Sequence, residues 1–388
     1  MDYFFFVDIG QFNEAIYLSD KRKISMNTLL ERESIPSTRY QGSKRKLLPW
    51  LYKHISPLEF DSVLDVFGGT GSVSYLFKKM GKEVTYNDNL KFNYYIGCSL
   101  IENKNIRLTE QDVDYLATRH GTVRYTDIVQ KNFSDIYYTD EENAWVDRFL
   151  GNWNNLDNIY PKEIILYKKA LAFSAFSQSA LKKRPFNLFH RANLYMRFKK
   201  IKRSFGNKTS WDGMFEDYFR CFCKEINEHV FSNGRKNISI REDASELNNK
   251  KAYDLIYVDP PYIRKEASGS DVDYYKFYHF LEGACENGTW IDRIDYNSKN
   301  RCLINPKKNE WISPRHNYDA FESLVETFKN SIIVISYKEP GIPSKTKLIR
   351  LMKKYKKRVI VTHGIKYDYA LNKNNGFHKE YLLIGLNK

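Results

Sequence analysis

Hydrophobic residues along this chain form short apolar runs that alternate with amphipathic stretches. Runs at 62–67 and 83–86 predict two buried strands, and residues 73–80 between them follow a helical pattern. A glycine-rich turn separates the first strand from this helix, and an acidic residue, Asp88, follows the second strand. Strand, glycine turn, helix and strand together predict one βαβ unit.

The same patterns continue through the rest of the chain. Strands are predicted at 237–241, 253–258, 331–337, 358–362 and 380–386, and helices at 47–55, 318–329 and 344–357. The stretch 263–315 has no clear period, and we expect it to be irregular. Alternating helices and apolar strands predict an α/β fold with a mostly parallel sheet.

The alternation is interrupted over residues 101–235, which are helical in pattern and rich in Asn, Tyr and basic residues. We predict that 38–100 and 236–388 form one catalytic domain and that 101–235 is a basic, mainly helical insertion. Residues 1–37 show no clear period and form an unassigned leader. The length of 388 residues would also allow two or three domains, but the pattern favours one domain with an insertion.

The cysteine content and the lack of long apolar runs indicate in which cellular compartment the protein resides. A membrane-spanning helix needs about 20 apolar residues, and every apolar run here is much shorter. The N-terminus lacks the basic and apolar regions of a signal peptide. The five cysteines contain no CxxC pair, which argues against a disulfide framework and a zinc site. We therefore expect a cytoplasmic protein without a metal site.

The charge of the chain is strongly unbalanced, with 62 Lys and Arg against 47 Asp and Glu. Two segments, 181–208 and 345–366, hold ten and nine basic residues and no acid, which together exceed the whole net charge of +15. Such an excess indicates a polyanion, either nucleic acid or an anionic membrane surface. One basic run is usually a solvated face, but two runs interleaved with aromatic residues favour nucleic acid.

The glycine-rich turn is the first candidate for ligand binding. Glycines after a strand allow the backbone to approach a ligand closely. Asp88, 17 residues after Gly71, could accept hydrogen bonds from the ribose of an adenosine cofactor, or could simply cap a helix. This spacing fits NAD, FAD and S-adenosylmethionine equally well.

The second candidate is Asp259-Pro260-Pro261-Tyr262, directly after the strand at 253–258. Two prolines fix the backbone and remove two N–H donors, which leaves carbonyls and a carboxylate as acceptors. An acceptor-only site suits a ligand that donates hydrogen bonds, such as an exocyclic amino group, and Tyr262 adds a ring that could stack on a base. A turn with an incidental Asp is the alternative.

With these motifs, the chain from about 38 to 388 resembles the D12-class DNA adenine methylases, which use S-adenosylmethionine. The matching motifs, in the order of the family, are Tyr40-Gln41-Gly42-Ser43-Lys44, Asp65 to Gly71, Asn87-Asp88, Asp243 and Asp259 to Tyr262. Segments 180–191 and 280–283 are also similar to the family. One position departs from it, because relatives often carry a small hydroxyl residue where this chain has Gly69.

The resemblance implies a Rossmann-like methyltransferase fold in which strands 61–67 and 253–258 are neighbours. It also implies methyl transfer from S-adenosylmethionine to the N6 atom of an adenine flipped out of duplex DNA. The enzyme would be the modification half of a restriction–modification system, with an endonuclease that acts separately, or a phage or orphan enzyme. It would be a monomer or weak dimer. No metal is implied.

The resemblance also assigns candidate site residues. The catalytic candidates are Asp259, Pro260, Pro261 and Tyr262. The cofactor-binding candidates are Tyr40, Gly42, Lys44, Asp65, Gly68, Gly69, Gly71, Asp88 and Asp243. The candidate DNA contacts, chosen from the first basic run, are Lys182, Lys183, Arg184, Asn187, Arg191, Lys199, Lys200 and Arg203.

Other functions remain open at this point. Cytosine-N4 methyltransferases of this kind more often have Ser where this chain has Asp259. RNA or protein glutamine methylation uses related loops, but the basic runs favour nucleic acid over protein. A non-catalytic DNA-binding relative is opposed by the intact Asp259, Asp88 and Lys44. A dinucleotide-dependent oxidoreductase would leave Asp259 to Tyr262 unexplained.

Overall fold

A computed structural model describes residues 36–199, 208–263, 272–286, 288–305, 307–366 and 379–388. Eight strands lie within these residues: β1 (Ser62–Asp65), β2 (Glu83–Asn87), β3 (Ile238–Ile240), β4 (Leu255–Val258), β5 (Ile332–Glu339), β6 (Arg358–Val361), β7 (Ile365–Lys366) and β8 (Lys379–Leu386). They form one sheet in the order β3-β2-β1-β4-β5-β8-β6, with β7 paired to β8. The seven strands predicted from the sequence are all present.

The sheet is parallel from β3 through β5, and β8 runs antiparallel to its neighbours. The chain builds outward from β1 to β3 on one side and from β4 to β5 on the other. Strand order therefore reverses between β1 and β4, where Leu64 lies opposite Ile256. Ligands of open parallel sheets bind outside the carboxyl ends of the strands at this reversal. The predicted fold class and the predicted pairing of these two strands are confirmed.

Helices cover both faces of the sheet. The helices within the described residues are α1 (Leu48–Ile55), α2 (Ser72–Lys79), α3 (Lys91–Gly97), α4 (Glu110–Ala117), α5 (Ile128–Asn132), α6 (Asp140–Asn155), α7 (Lys162–Lys182), α8 (Tyr195–Phe198), α9 (Lys208–Asp212), α10 (Phe215–Glu228), α11 (Tyr274–Ala284), α12 (Asn317–Thr327) and α13 (Lys345–Tyr355). Alternate strand residues point to opposite faces. Val63 and Leu255 pack with α1 to α3, whereas Leu64 and Ile256 pack with α12 and α13.

The second basic run lies largely on α13. Leu348, Leu351 and Met352 recur at helical spacing and are buried against the sheet, so the charged residues of this helix occupy its other faces. Lys345 and Lys354 pair with Glu339 and Glu322. Packing against the sheet explains why this charged segment is helical.

The region 101–235 contributes α4 to α10, and its described residues contain no strand. Two of its helices begin at capping boxes, in which Thr109 pairs with Asp112 and Thr139 with Glu142. The long helix α7 packs against both α10 and α3. This packing fixes the helical region against the sheet half, while the proposed domain boundaries remain a prediction.

Helix α11 corrects the expectation that 263–315 is irregular. Asp273 caps it by accepting a hydrogen bond from the Lys276 N–H at 3.3 Å. Residues 277–284 are all buried, including the polar His279 and Glu282, so this half of the helix lacks the exposed polar face of a surface helix. Among the described residues, no helix is long and apolar enough to cross a bilayer.

Candidate active site

A cavity of about 480 Å³ opens at the carboxyl ends of β1 and β4. The predicted residues that line it are Tyr40, Gly42, Lys44, Asp65, Gly68, Gly69, Asp88, Asp243, Asp259, Pro260, Pro261 and Tyr262. Gly71 does not line the cavity; it precedes α2 with a φ of +69°. The structure therefore brings together segments that are as much as 222 residues apart in the sequence, from Tyr40 to Tyr262.

The glycine turn is shaped by contacts on both of its sides. A Cβ atom at Gly68 would overlap the ring of Tyr86, and Gly69 has a φ of +50°, which disfavours other residues. The Asp88 carboxylate accepts hydrogen bonds from the Gly69 and Leu90 N–H groups, each at 2.9 Å. Asp88 thus links the turn to the start of α3, and each of its oxygens has one such backbone partner.

Asp65, at the end of β1, is a buried carboxylate with one unused oxygen. Oδ2 accepts a hydrogen bond from the Ser74 hydroxyl at 2.6 Å, whereas Oδ1 has no hydrogen-bond partner among the described residues. Burial raises the pKa of Asp65 to about 7, and the nearby Asp259 and Asp88 add to this rise. A buried acceptor that lines a cavity favours a ligand with a donor, such as an ammonium group.

Tyr40 lies in a stack of tyrosines that the sequence did not reveal. Its ring is parallel to Tyr278 at 4.5 Å and to Tyr274 at 5.5 Å, both on α11. Its hydroxyl accepts a hydrogen bond from the Asn93 side chain at 3.1 Å. These contacts hold the segment 40–44 across the mouth of the cavity, and so α11 contributes directly to the site.

A compact cluster of charged groups surrounds Asp259. The ammonium group of Lys44 lies 2.9 Å from Asp259 Oδ1, 3.2 Å from Glu380 Oε1 and 3.0 Å from the Tyr262 hydroxyl. The Tyr262 hydroxyl also donates to Asp259. The resemblance assigned Lys44 to cofactor binding. In the structure Lys44 lines the cavity, and its ammonium group contacts the Asp259 carboxylate.

Glu380 is a member of this cluster that the sequence did not indicate. It is 0 % exposed at the start of β8, and its second oxygen accepts a hydrogen bond from the Ser336 hydroxyl at 3.3 Å. Burial raises the pKa of Asp259 and Lys44 opposes that rise, while Glu380 adds to it. The only sequence signal was an acidic residue at the edge of an apolar strand, which is common on protein surfaces.

Asp243 and its neighbours form the other end of the cavity. The Asp243 carboxylate accepts hydrogen bonds from the Ser245 N–H at 3.0 Å, from its hydroxyl at 2.7 Å and from Asn89 at 3.3 Å. Phe67 and Trp311 meet edge to face at 4.9 Å nearby and also line the cavity. This end therefore combines acceptors with flat apolar surfaces.

Two predicted DNA contacts, Lys183 and Arg184, are corrected by the structure. Both side chains are 1 % exposed. Lys183 pairs with Glu142 at 2.7 Å, and the Arg184 guanidinium donates to the carbonyls of Tyr137, Leu188 and Arg191. A buried charge whose donors are used by the protein cannot contact a phosphate, so both residues serve the folding of this segment.

The remaining predicted contacts differ in exposure. Arg191 and Lys199 are exposed, and Tyr195 and Phe198 between them are 56 % and 62 % exposed. The Lys182 ammonium lies 3.9 Å from the centre of the Tyr218 ring. Asn187 has a φ of +55° in a turn. Lys200 and Arg203 lie outside the described residues.

Within the described ranges, no group of three or more His, Cys, Asp or Glu side chains could hold a metal ion. The family model described as "D12 class N6 adenine-specific DNA methyltransferase" matches residues 40–331. This match covers the motif at 40–44, the glycine turn and Asp259 to Tyr262.

Curated relatives are similar over most of the chain. Type II methyltransferase M2.HphI of Haemophilus parahaemolyticus is 27 % identical over 365 residues, which is 91 % of this chain and 98 % of the relative. Type II methyltransferase M.NlaIII of Neisseria lactamica is 24 % identical, over 89 % of this chain and 98 % of the relative. Modification methylase StsI of Streptococcus sanguinis is 24 % identical over 88 % of this chain, which corresponds to 50 % of that relative.

Proposed function

The chain belongs to the D12 class of N6 adenine-specific DNA methyltransferases, and we propose that it uses S-adenosylmethionine to methylate an adenine flipped out of duplex DNA. We further propose that it is the modification enzyme of a restriction–modification system, with an endonuclease that acts separately. The curated relatives named as type II methyltransferases support this proposal. Family membership sets aside the oxidoreductase, the cytosine-N4 enzyme and the non-catalytic relative.

The observation that carries the proposal is the shared cavity of the glycine turn and Asp259 to Tyr262. The unused Oδ1 of Asp65 suits the ammonium of the amino-acid part of the cofactor, and Gly68 and Gly69 suit its close approach. Asp88 and Asp243 offer acceptors for the ribose and adenine parts. When bound, S-adenosylmethionine supplies an activated methyl group on a positively charged sulfur.

Asp259 is the residue we propose to act on the amine of the substrate. The lone pair of adenine N6 is delocalised into the ring, so the amine is a poor nucleophile. A hydrogen bond from N6–H to the Asp259 carboxylate, supported by the Pro260 carbonyl, favours a tetrahedral nitrogen with a localised lone pair. The carboxylate also stabilises the positive charge that develops on nitrogen during attack.

Tyr262 and Lys44 would hold Asp259 ready for this role. In the free protein the Tyr262 hydroxyl and the Lys44 ammonium both donate to Asp259, so its carboxylate is fixed in orientation. The Tyr262 ring also lines the cavity, where it could stack on the flipped base. We propose that both side chains keep the acceptor aimed at the amine.

The test of the function is the identity of the methylated base. Incubation of the full chain with tritiated S-adenosylmethionine and duplex DNA is expected to place label in N6-methyladenine after digestion and chromatography. Label in N4-methylcytosine, or no transfer to DNA of any sequence, would contradict the proposal. Sequencing of methylated DNA from an expressing strain would then identify the recognition site.

Cofactor affinity is expected to rise as the pH increases through about 7, the pKa of Asp65, and to level off above it. The ionised carboxylate attracts the ammonium of the cofactor, whereas the protonated acid does not. Calorimetric titration on either side of this pH should show the rise, and Asp65→Asn should remove it. A rise that persists unchanged in Asp65→Asn would show that another group is responsible.

We propose that DNA lies over the exposed part of the first basic run. Phe189, two residues before Arg191, donates its N–H to the Phe277 carbonyl of α11 at 2.8 Å. The same helix lines the cavity through Tyr274 and Tyr275. The surface around Arg191 therefore contacts the same helix, α11, that lines the active site.

Replacing Arg191 and Lys199 together by alanine is expected to weaken DNA binding and flatten its salt dependence. Each lost phosphate contact should reduce the slope of log K against log salt by about 0.9. Binding should be measured by fluorescence anisotropy over a range of salt concentrations. A variant with alanine at Lys104 and Lys236, which are exposed outside both basic runs, is the control. An unchanged slope in the first variant would mean that this surface faces solvent only.

A further inference from the structure

We propose that Glu380 is a positioning residue that holds Lys44 on Asp259 and makes the cluster a net anion. In this role Glu380 lets the pocket discriminate between the positively charged methyl donor and its neutral product. The inference rests on the proposed use of S-adenosylmethionine and extends it to a residue outside the recognised motifs. Glu380 itself lies beyond the range of the family match, which ends at residue 331.

The geometry places three charged groups from distant parts of the chain around one point. Lys44 precedes the first helix, Asp259 follows β4, and Glu380 belongs to β8. The Lys44 ammonium bridges the two carboxylates at 2.9 and 3.2 Å. All three side chains are screened from water, with side-chain exposures of 3 % for Lys44, 14 % for Asp259 and 0 % for Glu380.

The second carboxylate oxygen of Glu380 is also held by the protein. Its Oε2 accepts a hydrogen bond from the Ser336 hydroxyl on β5, and β5 pairs with β8 through Ser336 and Leu382. The same Ser336 accepts a hydrogen bond from the Tyr262 hydroxyl through its carbonyl, at 3.3 Å. Glu380 therefore cannot move without disturbing the groups that orient Asp259.

The net charge of these three side chains determines whether they stabilise or oppose a positive charge in the cavity. With all three groups ionised, one ammonium faces two carboxylates, so the cluster carries one net negative charge. Without Glu380, Lys44 and Asp259 would form a neutral pair, and a cation would stand close to the amine that must itself become positive. Charges in a partly buried site interact more strongly than in water. The Glu380 carboxylate thus offsets the repulsion between the Lys44 ammonium and the positive charge that develops on the reacting nitrogen.

Other charged groups lie near this cluster, and they are the same in every variant of the test: Asp243, Glu246, Glu282, Glu286, Arg241, Arg293 and Lys307 line the cavity, and the buried Lys338 lies opposite Glu380 on β5. Asp65 and Asp88 line it as well, and burial raises the pKa of each, as it does for Asp259. Tyr257, Tyr262 and Tyr274 line it as well, and burial raises the pKa of Tyr257 and Tyr274, so these two remain neutral. Glu380 is therefore the partner that balances Lys44 directly.

The test compares the affinities of S-adenosylmethionine and S-adenosylhomocysteine by calorimetric titration. The two ligands share every part except the charged methyl-sulfonium, so their affinity ratio reports the electrostatic preference of the pocket. In Glu380→Gln the ratio is expected to shift toward the neutral ligand by at least about fivefold. Glu380→Asp, which keeps the charge, should retain most of the wild-type ratio.

A matched control separates charge from folding. Glu142 is also an acid that pairs with a buried lysine, at 2.7 Å from Lys183, but Lys183 does not line the cavity, whereas Lys44, the partner of Glu380, does. Glu142→Gln should lower the melting temperature and leave the affinity ratio unchanged. If Glu380→Gln does not fold, Glu380→Ala is a second variant without the charge, and the same shift of the ratio is expected in it.

The outcomes are distinguishable. Equal weakening of both ligands in the folded Glu380 variants would overturn the inference and leave the cofactor proposal intact. A wild-type chain that binds neither ligand would overturn the cofactor proposal and this inference with it. A shift in the ratio in Glu380→Gln, absent from Glu142→Gln, would support the inference.

Discussion

Replacing Asp259 by alanine is expected to reduce the rate of methyl transfer by at least about 10²–10³-fold, the effect typical of removing a group that stabilises transition-state charge. The carboxylate is the anionic acceptor of the Asp259 to Tyr262 segment at the cavity, and it accepts from both Lys44 and Tyr262. Its loss removes the hydrogen bond to the amine. It also leaves the Lys44 ammonium facing the reacting nitrogen.

Single-turnover transfer measured beside calorimetric cofactor titration would separate chemistry from binding. Asp259→Ala should lose transfer and weaken cofactor affinity by no more than about tenfold, because it removes one carboxylate from the cluster around Lys44. Asp254→Ala provides the control. Asp254 directly precedes the same strand and accepts hydrogen bonds from the N–H groups of Asp61 and Ser62, at the amino ends of the strands and away from the cavity. That variant should lose stability and keep transfer. Full activity in Asp259→Ala would exclude the proposed role.

The second large effect concerns stability. Arg184→Ala is expected to lower the free energy of unfolding by about 3–5 kcal/mol, because it removes a large buried side chain together with its hydrogen bonds. The guanidinium satisfies three backbone carbonyls and lies 4.4 Å from the centre of the Tyr137 ring. Alanine would leave those carbonyls buried without donors and would create a cavity beside the ring.

Denaturant unfolding would measure this difference directly. Arg191→Ala is the matched control, because it removes an exposed arginine seven residues later, and it should change the free energy of unfolding by less than about 0.5 kcal/mol. DNA binding measured at low temperature, where Arg184→Ala is still folded, should show the opposite order. Arg191→Ala should weaken DNA binding, whereas Arg184→Ala should not. Equal stability of the two variants would contradict the structural role given to Arg184.

Local sequence signals were sufficient to predict the sheet and the position of the cavity. The apolar strands, the glycine turn and the paired prolines each restrict the backbone within a few residues, so they can be recognised without knowing their neighbours. Pairing of β1 with β4 then followed from the resemblance, and it explains why Asp65 and Asp259 reach one cavity.

Features that depend on distant contacts could not be predicted in this way. Lys183 and Lys199 belong to the same basic run, and only the position of Glu142, 41 residues before Lys183, makes one buried and the other exposed. Glu380 resembles an ordinary strand-edge acid until Lys44 is placed beside it. In helix α11 the polar His279 and Glu282 are buried with their apolar neighbours, because the protein surrounds half of the helix.

The position of β8 has a consequence for how the chain matures. This strand is synthesised after β5 and β6 but lies between them in the sheet. Until it leaves the ribosome, the apolar edge of β5 stays unpaired and Lys44 lacks one of its two carboxylates. Chains interrupted before residue 379 would therefore expose an open strand edge, a template for aggregation. Such fragments would not assemble the charged cluster, so we expect activity to require synthesis through β8.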